Sequence, residues 1–140
     1  MIESFARRVL TPALLRLALA TVFIFHGLAK VNVEHGMGWA NQMPNPPTAL
    51  VQAIVAWSEL IGGIAIAVGL LTRVASLAII AIMIGAVVTV HGSHGFAIKD
   101  GGYEYNFVLI LAAAALAATG AGLVSLDHVI RSKMKGPANY

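Results

Sequence analysis

Four apolar stretches, separated by short polar segments, set the pattern of this 140-residue chain. They cover residues 12–29, 50–71, 74–90 and 106–126. Each is close to the roughly 20 residues that a helix needs to cross the hydrocarbon of a bilayer. Ionisable groups inside them are few: Arg16 and His26 in the first, Glu59 in the second, and none in the third or fourth. The pattern predicts an all-α fold, an integral membrane antiparallel four-helix bundle, with residues 1–140 forming a single multi-pass transmembrane domain in contact with the lipid bilayer.

The flanks refine this picture. Ahead of the first stretch, Ile2, Phe5 and Val9 are interleaved with Arg7 and Arg8, which predicts a short interfacial helix over residues 1–10. The first stretch runs on to Lys30 without a small-x-small cleavage pattern, so it is read as a retained helix and not a leader. Pro12 suits a first helical turn, where an absent N–H costs least. Small residues recur four apart, at Gly63 and Ala67, Ala65 and Gly69, Ala81 and Gly85, and Ala113, Ala117 and Ala121. Such spacing lets membrane helices approach closely.

Composition removes most other classes. Hydrophobic residues make up 59%, charged residues 11%, and mean hydropathy is +0.83. A soluble domain carries about 25% charged residues, so these charges are too few to clothe one. The same numbers exclude a disordered chain. With no Cys, there is no disulfide framework, thiolate zinc site, iron–sulfur cluster or dithiol redox centre. The net charge of +3 is spread without a dense basic run, so no nucleic-acid partner is expected. Phosphate-binding and dinucleotide glycine loops, and a Ser-His-Asp arrangement, are also missing.

The basic residues indicate orientation. Arg7, Arg8 and Arg16 lie near the start, Arg73 between the second and third stretches, and Arg131, Lys133 and Lys135 in the tail. The other two connections hold only Lys30 and Lys99, beside Glu34, Asp100 and Glu104. By the positive-inside rule, both termini and the Thr72-Arg73 turn are cytoplasmic, and connections 31–49 and 91–105 face outward.

An ionisable group within a membrane costs roughly 2.5–3.5 kcal/mol on insertion scales, so each one calls for a reason. Glu59 lies about 13 Å into its helix at 1.5 Å per residue. It reads either as a proton-accepting or ligand-contacting group, or as a carboxyl hydrogen-bonded to a neighbouring helix to fix packing. His26 and Lys30 share a face near the outer end of the first helix. His91 ends the third, and Glu104 precedes the fourth. The topology therefore predicts a polar outer-side cavity lined by His26, Lys30, Glu59, His91 and Glu104, lidded by Tyr103-Glu104-Tyr105. Against this stands the plainer reading of Lys30, His91, His94 and Glu104 as interfacial residues reaching headgroups. His26 and His91 have no metal-ligand spacing, so no metal or haem is expected. Arg16 is expected to snorkel to headgroups, and Asp127 to cap a helix at the cytoplasmic exit.

Phe25-His26-Gly27-Leu28-Ala29-Lys30, Glu59-Leu60-Ile61-Gly62-Gly63, Gly69-Leu70-Leu71-Thr72-Arg73, Gly102-Tyr103-Glu104-Tyr105-Asn106 and Gly120-Ala121-Gly122-Leu123-Val124-Ser125-Leu126-Asp127 together resemble the DoxX family of small bacterial membrane proteins. The resemblance implies a four-helix protein of the bacterial cytoplasmic (inner) membrane. It also implies a link to the DoxD-type subunit of thiosulfate:quinone oxidoreductase and to assemblies of sulfur or oxidative-stress metabolism. On that basis the expected function is a membrane subunit of a quinone-linked oxidoreductase system, with the five polar residues lining a quinone or small-anion site. With no redox group of its own, the chain would depend on a quinone or on a partner subunit for electrons. The alternative is a non-catalytic scaffold or assembly subunit of a larger membrane complex. Either reading implies other membrane protein subunits or a homo-oligomer as partners. Whether the chain is itself an enzyme is left open.

Overall fold

The computed structural model describes residues 2–134, which contain helices and connections but no strand. Met1 and Lys135, assigned above to the interfacial segment and the basic tail, lie outside the described residues. Helix α1 (Ile2–Phe5), a π-helical turn (Ala6–Leu10) and α2 (Thr11–Val31) form one unbroken helical run. After a folded connection come α3 (Ala49–Val68), α4 (Thr72–Ala86) and α5 (Glu104–Thr119), then a short α6 (Leu126–Met134). Helix α4 continues as a π turn, Val87–His91, and a 3-10 turn, Gly92–His94.

Among the described residues, three segments are long and apolar enough to cross a membrane: Ile2–Val31, Ala49–Val68 and Thr72–His94. Helix α5 is apolar but has 16 residues, about 24 Å at 1.5 Å per residue. It ends at Thr119 and does not run to residue 126 as the apolar pattern suggested. The cause is local. Gly120 and Gly122 take φ of +77° and +78°, which leaves the helical region.

The N-terminal segment differs in a related way, because it continues into α2 and is not a separate helix. Pro12 has no N–H to give to the carbonyl of Arg8, four residues back. The Thr11 N–H reaches Ala6 in a wider turn. The Arg8 carbonyl accepts instead from Leu123 N–H at 2.9 Å, tying the start of the chain to the α5–α6 connection. The missing donor thus becomes a tertiary link.

Helix α2 packs most extensively on α3 and α4 on α5, while α3–α4 and α2–α5 contacts join the two pairs. Between them lie Leu19, Phe23, Ile66, Ile79, Met83, Leu109, Ala113 and Leu116, all buried. Leu17, Ile61, Leu77 and Leu111 point outward from the same helices. Apolar surfaces inside and outside are what a protein solvated by lipid presents. Lipid is as apolar as Leu, so helix pairing there depends on close packing and polar links more than on burial itself.

Small residues provide the close packing at one interface. A Cβ on Gly27 would sit 2.5 Å from the Leu60 backbone nitrogen, and one on Gly63 would sit 2.8 Å from that of Ile24. Helices α2 and α3 therefore touch backbone to backbone. The Ala81–Gly85 pair does not behave this way, since nothing lies within 4 Å of a Cβ placed on Gly85.

Candidate functional site

The close approach of α2 and α3 sets Lys30 opposite Glu59. The Lys30 ammonium donates to both Glu59 carboxylate oxygens at 2.5 Å, the sole ion pair among the described residues. The Glu59 side chain is 2% exposed and that of Lys30 21%. An ion pair this buried repays its desolvation only with good geometry, and contact with both oxygens supplies it. The ammonium also lies 4.8 Å from the Trp39 ring centroid, a cation–π contact that covers the pair.

Trp39 is held there by a chain of hydrogen bonds from the first connection. Its indole N–H donates to the Gln52 carbonyl at 3.0 Å. The Gln52 side chain, on a residue 1% exposed, accepts from Ala40 N–H and donates to Asn41 Oδ1 and the Pro47 carbonyl, each at 2.9 Å. Trp57 of α3 donates to the His35 carbonyl at 3.1 Å. The Pro-rich connection is thus folded onto α3. Gln52 carried no signal in the sequence beyond being a polar residue at the third position of an apolar stretch.

The other expected cavity residues are placed differently. His26 is exposed, with its ring edge-to-face with Phe25 at 5.5 Å. His91 is half-buried, and its Nδ1 is paired with the Gly101 carbonyl at 2.7 Å. Glu104 accepts from Ile98 N–H at 3.0 Å, bracing the second connection from within. Tyr103 packs edge-to-face on Phe96 at 5.4 Å. The cover over Lys30–Glu59 is therefore Trp39, whereas Tyr103-Glu104-Tyr105 organises its own loop. Among the described residues, no three of His, Asp and Glu gather closely enough to hold a metal ion.

Arg16 departs furthest from expectation. It is 9% exposed, and its guanidinium donates to the carbonyls of Ile66 at 2.9 Å, Ala67 at 2.6 Å, Ala121 at 3.2 Å and Val124 at 2.5 Å. Ile66 and Ala67 lie in the last turn of α3, where the ladder of helical donors runs out, although the Ile66 carbonyl also accepts from Gly69 N–H at 3.1 Å. A fork of five N–H groups satisfies them better than water could inside a membrane protein. Arg16 therefore turns inward and joins α2, α3 and the α5–α6 connection.

Asp127 caps as expected. Its two oxygens accept from Leu71 N–H at 2.8 Å and Thr72 N–H at 3.0 Å, at the start of α4. Its own N–H donates to the Gly69 carbonyl at 2.8 Å. Burial alone would raise this carboxyl, but the backbone donors of Thr72 and Leu71 and the nearby Arg131 outweigh it, holding the group below its ordinary value.

Two polar clusters therefore emerge from one helical scaffold: an ion pair under Trp39, and, towards the other end of α2, the backbone contacts of Arg16 and Asp127. The DoxX family model matches residues 11–92, and the chain belongs to the DoxX family of membrane proteins. A Bacillus subtilis (strain 168) protein named "Putative oxidoreductase CatD" is 31% identical over 125 residues, covering 88% of this chain and 90% of that one. A Haemophilus influenzae (strain ATCC 51907 / DSM 11121 / KW20 / Rd) protein of undescribed function is 30% identical over 126 residues, covering 84% of this chain and 82% of that one. No solved structure matches the chain.

Proposed function

We propose that this chain is a membrane subunit of a quinone-linked oxidoreductase system, crossing the bacterial inner membrane four times with its Arg-rich end in the cytoplasm. The observation that carries the reading is the Lys30–Glu59 pair: a carboxylate and an ammonium set between two apolar helices beside an aromatic ring. The oxidoreductase name of the Bacillus relative agrees with it.

The residues fit a quinone headgroup in kind. Lys30 would donate to a quinone carbonyl, Glu59 would exchange a proton with it, and Trp39 would stack on the ring. A bound quinone supplies two-electron, two-proton carrier chemistry. The chain's part is to hold the headgroup and move a proton at the Glu59 carboxyl, a role of the kind worth about 10²–10⁴ in rate. His26, His91 and Glu104 have a smaller part in this reading than the sequence suggested, because their contacts point elsewhere.

A second reading has its own support. The Lys30 ammonium is fully engaged by both Glu59 oxygens and the Trp39 face, which suits a strut between α2 and α3 in a scaffold or assembly subunit. Glu59→Gln separates the two when turnover of a short-chain quinone analogue is measured on the complex purified in mild detergent. A fall of about 100-fold with the same co-purifying subunits supports the quinone site. Unchanged turnover with lost subunits supports the scaffold.

A further inference from the structure

At the end of the molecule away from Lys30–Glu59, four arginines from three separate parts of the chain line one cavity of about 250 Å³. Arg7 and Arg8 come from the N-terminal helical run, Arg73 from the first turn of α4, and Arg131 from α6. The walls are built and not incidental. The Leu123 N–H to Arg8 carbonyl bond clamps the N-terminal run to the α5–α6 connection. A Cβ on Gly122 would meet that same carbonyl at 2.8 Å and Pro12 at 2.9 Å, so the two strands of chain lie in direct contact.

The charge in this cavity is unbalanced. Against four guanidinium groups stands one lining carboxylate, Asp127, and both of its oxygens are committed to the backbone of Leu71 and Thr72. None of the four arginines forms an ion pair within 4 Å among the described residues. Arg73 makes one long contact, 3.5 Å to the Ala118 carbonyl. Four exposed arginines around a concave site, with a single carboxylate among them, describe a receptor for an anion with several acceptor oxygens, which guanidinium groups recognise by paired N–H donors.

The surroundings select which anion. Leu123, which lines the cavity, is exposed, as are Ile2, Phe5 and Leu10 of the N-terminal run, Val124 of the α5–α6 connection, and Val129 and Ile130 of α6. A short helix such as α6, with apolar and basic residues, suits the plane of a membrane interface. A charged pocket built by elements that also carry exposed apolar side chains matches a lipid, whose phosphate and acyl chains meet at the same level. A soluble phosphate would need no such apolar side chains.

We propose that this cavity binds the phosphodiester headgroup of an anionic phospholipid, held by Arg7, Arg8, Arg73 and Arg131. The site pins the N-terminal run, α4 and α6 to one leaflet. It owes nothing to the quinone reading and stands or falls separately.

The full chain in neutral detergent provides the test, using dioleoylphosphatidylglycerol, dioleoylphosphatidylcholine and inorganic phosphate as probes. Native mass spectrometry reads retained lipid, and thermal unfolding reads stabilisation. Phosphatidylglycerol should be retained and raise the midpoint by about 4 °C or more, with phosphatidylcholine giving little of either. The joint change Arg73→Gln and Arg131→Gln should weaken retention at least about tenfold, the joint change Arg73→Lys and Arg131→Lys should restore much of it, and Lys99→Gln should leave it unaltered. The wild-type preference for phosphatidylglycerol should also shrink as salt rises, a readout that needs no variant. Equal retention of both lipids by the wild-type chain overturns the proposal, as does undiminished retention after the Gln changes. Full stabilisation by inorganic phosphate that displaces the lipid assigns the pocket to a soluble anion and overturns it too.

Discussion

A single methyl group distinguishes the glycines of this protein from one another. On Gly27 it would lie 2.5 Å from a backbone nitrogen of α3, where no side chain can swing aside. The helices would have to part, at a cost of about 1–3 kcal/mol for overpacking. Gly27→Ala should therefore lower the unfolding midpoint in detergent by several degrees and weaken the Lys30–Glu59 contact that depends on the same approach. Gly85→Ala, with nothing within 4 Å, should leave the midpoint within about a degree. Sequence spacing could not separate these cases, because a glycine every fourth residue marks a candidate face but not what lies across it. The same limit applies to the charged residues. Glu59 stood out because a carboxyl in an apolar helix is rare, whereas its partner Lys30 read equally well as an interfacial lysine. Arg16 was assigned to headgroups because carbonyls left open at a helix end cannot be seen from the residue that fills them.

At the scale of an element, the turn between α3 and α4 shows how one short stretch is specified twice. Gly69 takes φ of +69° and Leu71 φ of +47°, the second a strained conformation for a branched side chain. The Asp127 carboxylate holds that strain in place by accepting from both Leu71 and Thr72 N–H. Asp127→Asn leaves one good acceptor of two and should cost about 0.5–2 kcal/mol, the range of lost helix N-caps. Because the folded carboxyl titrates below its ordinary value, its stabilisation is present above the unfolded value, near pH 3.9, and is lost as pH falls through the folded one. The gap in unfolding midpoint between wild type and Asp127→Asn should thus be widest near pH 7 and close in acid. A gap that widened in acid would contradict the cap. The capping role of Asp127 was legible in the sequence. Its target, 55 and 56 residues away, was not, because contact between α6 and the α3–α4 turn arises only from the packing of the whole chain.

For the whole molecule, the composition already identified lipid as the surroundings, and the apolar pattern located the helices to within a few residues except where glycines end α5 early. What periodicity could not supply is the number of crossings. Three segments have the length for it, while α5 at 16 residues falls short of a hydrocarbon core about 30 Å thick by some 6 Å. A helix of that deficit can still span by local thinning of the bilayer at modest cost, and its outward-facing Val108 and Leu111 are suited to acyl chains. The absence of Cys makes the question direct, since any single introduced thiol is unique. Four crossings require Asn41→Cys and Lys99→Cys to react with a membrane-impermeant maleimide added outside intact cells, and Arg73→Cys and Lys133→Cys to react only after the membrane is opened. If α5 instead turns back within the bilayer, Lys133→Cys will label alongside Lys99→Cys. That outcome would move α6 and Arg131 across the membrane from Arg73, dismantling the arginine cavity and the Asp127 cap in one step. Because Asp127 of α6 is bonded to Leu71 and Thr72 at the start of α4, the expected outcome is that labelling at Lys133 follows that at Arg73, and labelling of Lys99 from the opposite side would then count four crossings.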